Sequence, residues 1–162
     1  MNTLFLQHTF DHTPDTIVIK LNDRTVYLGP ANVCEHGLEP RLGMNTLEVC
    51  LLAKSPGNFV YANGAIEFDS MTRVKELVIE DRYFRSLLHR CGVTMIDKIQ
   101  NPEFPQDQLP GSTVLTMQGS CYCIEFEYPI KRWMQWHKHH RTISDNVGMY
   151  QEIKKELECA IS

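Results

Sequence analysis

No apolar run in this 162-residue chain reaches the length of a membrane span, which excludes a membrane-crossing helix. Nine glycines and eight prolines are too few for a collagen-like or low-complexity chain. Charged residues make up only 22% of a chain that is 43% hydrophobic, too ordinary a balance for intrinsic disorder. The segment MNTLFLQHTFDHTPD has no basic start, and Gln7, His8 and Asp11 interrupt its apolar stretch. That is not a secretory signal, so the expected compartment is a reducing cytoplasm. There is no G-x-S-x-G elbow, Walker loop, dinucleotide glycine fingerprint or H-E-x-x-H, which removes the usual warrants for an enzyme. Repeats and linkers are also missing, and the length suits one globular domain over 1–162.

What is present reads first as strands. Leu4, Leu6, His8 and Phe10 alternate with Phe5, Gln7 and Thr9. Ile17, Ile19 and Leu21 do the same, and Asn22-Asp23 is turn chemistry before Arg24 to Leu28 resumes the alternation. Leu47, Val49 and Leu51 oppose Glu48, Cys50 and Leu52. Asn63-Gly64 between two β-rich runs is the clearest hairpin signal, because both residues tolerate the positive φ of a tight turn. Two segments, 29–45 and 100–112, are interrupted by Pro and Gly and read as long loops.

From Asp69 or Ser70 onward, Val74, Leu77, Val78, Phe84, Leu87, Leu88 and Cys91 recur at three- and four-residue steps. A strand over 74–79 with a helix from Asp81 is the competing assignment, and the longer helix over 70–91 is preferred, with Gly92 as its terminator. Strands follow over 93–128, including a hairpin of 113–117 with 121–128. Helices are expected over about 130–141 and 145–161. The predicted fold is therefore α+β: a mostly antiparallel sheet of about seven to nine short strands, one central helix, and two C-terminal helices packed on it.

Three places could carry chemistry or binding. In Cys121 to Tyr128, period two puts Cys121, Cys123, Glu125 and Glu127 on one face. The six cysteines are expected as thiols or ligands, and Cys121 and Cys123 with Cys34 and His36 make a candidate zinc set. The same residues would serve a small Cys/His-dependent enzyme. The second place is 131–141. Four basic residues and no acid lie there, leaving twelve basic against twenty acidic residues elsewhere. Lys131, Arg132, Trp136, Lys138, His139, His140 and Arg141 offer aromatic and cationic anchors for a protein partner, or phosphate and base contacts for a nucleic acid. The third place is the histidines His8, His12, His139 and His140 as acid–base groups; His8, beside Leu6 and Phe10, reads as an edge or core residue.

Together these readings predict a cytoplasmic, non-enzymatic binding protein. It would modulate or inhibit a protein partner, one that handles nucleic acid being a candidate. A zinc protein and a nucleic-acid-binding regulator are the alternatives, and the oligomeric state stays open.

Overall fold

A computed structural model describes residues 2–10, 13–84, 87–96, 98–99, 108–110 and 112–130. The described residues are built almost wholly of β-structure in a sandwich-like arrangement. One sheet has five strands: β1 (Thr3–Thr9), β4 (Glu35–Gly37), β8 (Met71–Ile79), β9 (Arg82–Tyr83) and β12 (Val114–Leu115). The other has six: β2 (Thr16–Leu21), β3 (Arg24–Pro30), β5 (Gly43–Ala53), β10 (Val93–Met95), β11 (Gln108–Pro110) and β13 (Cys121–Tyr128). A separate hairpin pairs β6 (Phe59–Ala62) with β7 (Ala65–Asp69). Among the described residues the only helix is α1 (Leu87–Cys91).

The predicted α+β fold is thus corrected to a mostly β fold, and the central helix over 70–91 is the largest change. Its first half is β8, paired antiparallel with β1. The reason lies in a bulge. Phe5 opposes Glu76 and Leu6 opposes Val74, so Lys75 is an extra residue in β8. The inward side chains therefore fall at Thr72, Val74, Leu77 and Ile79. The step from Val74 to Leu77 copies helical spacing inside a strand. Glu80 and Asp81, with φ of 53° and 63°, then reverse the chain into β9. Asn22-Asp23 and Asn63-Gly64 make the same tight reversal where the sequence predicts hairpins. The expected hairpin of 113–117 with 121–128 is also corrected: β12 pairs with β8 and β13 with β5 and β10, so this connection passes between sheets. The helix residues predicted over 131–141 and 145–161 lie outside the described residues.

Between the sheets, Leu4, Leu6, Val74, Leu77 and Ile79 meet Ile17, Ile19, Leu47, Val49, Leu51, Tyr122, Ile124 and Phe126. Apart from the three-residue step at the β8 bulge, these are the alternate residues of each strand, and each large one contributes about 1.5–3 kcal/mol by burial. Phe84 packs edge-on against Phe126 with centroids 6.0 Å apart. Gly92 is required by packing: a Cβ there would collide with the Tyr122 hydroxyl, which donates to the Leu88 carbonyl at 2.7 Å.

Candidate functional site: a clamped hairpin and an edge cleft

The predicted zinc residues are spread over both sheets. Cys34 is exposed just before β4, and the His36 ring is buried there, donating from Nε2 to the Val33 carbonyl at 3.0 Å and packing 4.7 Å from the Tyr27 ring. Cys121 and Cys123 lie on the outward face of β13 with Val18, Cys50 and Leu52. The reading of all six cysteines as thiols or ligands is corrected for two of them, because Cys50 and Cys121 form a disulfide. They are directly opposed across β5 and β13, with Cα atoms 4.0 Å apart, though 71 residues separate them in sequence. Among the described residues, the one group of three metal-capable side chains within 4.8 Å is Glu48, Cys50 and Cys121. With both sulfurs bonded to each other, it offers a single carboxylate. Burial, followed by the Glu48 charge, pushes the Cys123 thiol up to about 12, so it is protonated at neutral pH. Residues Lys131, Arg132, Trp136, Lys138, His139, His140 and Arg141 lie outside the described residues, as does His12.

His8 is satisfied as a structural residue. Its Nε2 donates to the same Val33 carbonyl at 3.1 Å, and Nδ1 then accepts from the Thr72 hydroxyl at 3.1 Å. Burial lowers the pKa of both His8 and His36, against the pull of the shared carbonyl. At His8 the neighbouring His36 adds to the lowering, and Asp15 opposes it.

Two sites were not singled out from the sequence. The first is the exposed face of the β6–β7 hairpin, whose turn at Asn63-Gly64 the sequence predicts but whose role as a site it does not. Phe59 and Tyr61 are two apart on β6, and Tyr61 is directly opposite Ile66, so all three share a face. They are 51%, 63% and 57% exposed. A two-stranded hairpin is marginal by itself. Here a buried polar knot holds its base. Asp15, just before β2, accepts from the Ser55 amide at 2.9 Å, Asn58 Nδ2 at 2.8 Å and the Ser70 hydroxyl at 2.5 Å. Asn58 and Ser70 flank the hairpin on either side, and the Ser70 amide donates to the Asn58 carbonyl at 2.7 Å. Lys54 Nζ pairs with Asp69, donates to the Ser70 carbonyl at 3.1 Å and lies 5.7 Å from the centre of the Phe59 ring. Burial lowers the Lys54 pKa, and Asp15 partly offsets this.

The second is a cleft of about 620 Å³ between the edge strands of the two sheets. Leu21, Val26 and Leu38 supply apolar lining, and Arg24 and Glu39 supply charge. Val26 is the unpaired extra residue of a bulge, since Ile19 opposes Tyr27 while Lys20 opposes Thr25.

No protein-family model matches the chain, and no curated protein matches it. It is similar to a solved structure described as "vCBM60 in complex with galactobiose", with a TM-score of 0.45 and 11% identity, covering 78% of this chain and 96% of that one.

Proposed function

We propose that this protein is a non-catalytic binding module that docks on a partner protein through the β6–β7 hairpin and thereby modulates that partner. The observation that carries this is the shared face of Phe59, Tyr61 and Ile66, large apolar side chains left more than half exposed on an element whose base is rigidly tied. Aromatic anchors on a preorganised support bind proteins at a low ordering cost. The outer edge of β6 favours the same reading. Its sequence Phe-Val-Tyr-Ala has no charge and no proline to discourage pairing with a foreign strand. This keeps the protein partner expected from the sequence and gives it a contact surface within the described residues.

The test is a triple variant, F59S/Y61S/I66S, compared with the parent protein. The parent is expected to form a stoichiometric complex with one protein, and the variant to lose it while melting at an unchanged temperature. A complex that survives the triple substitution refutes the reading. Retention on a polysaccharide column that the same substitutions abolish would replace the protein partner with a glycan.

A further inference from the structure

Among the described residues, β3 pairs only with β2, and β4 only with β1. Each is therefore the last strand of its sheet, with one backbone edge unpaired. The cleft lies where these two edges approach each other, lined by the start of β3 on one side and by Gly37, Leu38 and Glu39 on the other. Its volume, about 620 Å³, is in the range of ligand sites. Leu21 and Leu38 are both 5% exposed and form an apolar floor. Neither the Arg24 guanidinium nor the Glu39 carboxylate has a hydrogen-bond or ion-pair partner among the described residues, and both are exposed at this one cleft.

We propose that this cleft binds an extended peptide segment carrying an apolar residue between an acidic and a basic one. Extended backbone is what an unpaired strand edge recognises, and alternate side chains then supply specificity. The acidic side chain meets Arg24, where a planar guanidinium takes a carboxylate with two parallel hydrogen bonds. The basic side chain meets Glu39, and the apolar one enters the floor of Leu21, Val26 and Leu38. A single-sign ligand would leave one of the two charges unanswered. The bulge at Val26 adds a local twist that keeps β3 from closing flat on a neighbour and leaves room for the guest.

The full chain can be titrated with three fluorescein-labelled hexapeptides of alternating Val and Thr. One carries Glu then Lys, the second Lys then Glu, and the third Gln at both positions. Fluorescence polarisation reports affinity, and backbone amide shifts report location. One charged peptide is expected to bind, shifting the amides of residues 24–26 and 37–39, with the Gln peptide weaker by about tenfold or more. R24E or E39K should each weaken it by a similar factor. R24E/E39R should instead prefer the peptide of opposite charge order. The hairpin variant F59S/Y61S/I66S should bind these peptides as the parent does, which separates this site from the docking hairpin. Equal binding of the neutral peptide, indifference to R24E, shifts confined to other residues, or no binding by any of the three would overturn the assignment. So would displacement of the peptide by free amino acids alone.

Discussion

The two ends of strand β2 treat charge in opposite ways. Just before its start, Asp15 is 2% exposed and its carboxylate receives three hydrogen bonds, while Lys54 and Asp69 answer each other nearby. Just beyond its end, Arg24 and Glu39 border an open cleft with no partner among the described residues. The first set is enclosed, so an unanswered group there would forfeit its hydration. The second set stays in water and costs nothing to leave unpaired. Saturation therefore marks the groups that hold the fold, and lack of a partner at the cleft marks groups available to a ligand.

The largest expected effect is at the knot. Asp15→Ala strands the Asn58 and Ser70 donors and frees the hairpin base, and it should cost roughly 3–4 kcal/mol, read as a lowered urea midpoint. A loss under 1 kcal/mol would erase the contrast between the two ends. Ser70→Ala removes one charge-assisted bond and should cost about 2 kcal/mol by the same measurement. If the hairpin works as proposed, this variant also weakens the partner complex, although Ser70 is buried and touches nothing outside.

Acid gives a smaller and differently placed effect. His8 and His36 share the Val33 carbonyl in the segment between β3 and β4, and burial holds both below their ordinary value of 6.5. The unfolded chain therefore takes up protons first as pH falls. The stabilising contribution is whole above about pH 6.5 and is lost as pH drops through the lowered folded values. A thermal midpoint that declines below pH 6.5 in the parent and declines less in His8→Gln/His36→Gln is the expected result. A difference that grows with rising pH would reverse the sign and refute it. At the bottom of the scale, Arg24→Ala and Glu39→Ala should each change stability by no more than about 0.5 kcal/mol, the ordinary range for exposed positions. A larger loss would place the cleft charges with the structural ones.

Much of the strand pattern was legible because period two is a local property. Leu47, Val49 and Leu51 face the main core and Cys50 and Leu52 face away, as their alternation implies. Tyr122, Ile124 and Phe126 also turn inward, with Cys121 and Cys123 outward. The helix over 70–91 misled because one inserted residue, Lys75, converts a two-residue step into a three-residue one. Nothing within β8 announces the bulge; it is set by the register against β1. The segment 113–128 looked like a hairpin because two apolar runs flank Gln118-Gly119, yet their pairing partners lie in different sheets.

The sites were less legible than the strands. Asp15, Asn58 and Ser70 are common polar residues far apart in sequence, with no motif spacing to join them. The cysteines could be counted but not paired: Cys50 meets Cys121 only because β5 and β13 adopt one particular register.

By itself the order of residues determined the tight turns at Asn22-Asp23 and Asn63-Gly64 and which side chains share a face in regular strands such as β5 and β13, because both depend on neighbours a few positions away. Tertiary structure alone decided that β8 is a strand, that the aromatic hairpin is clamped by Asp15, and that Arg24 and Glu39 meet at one opening. Those outcomes depend on strand register and sheet stacking, which bring together groups tens of residues apart and decide which of them keep contact with water.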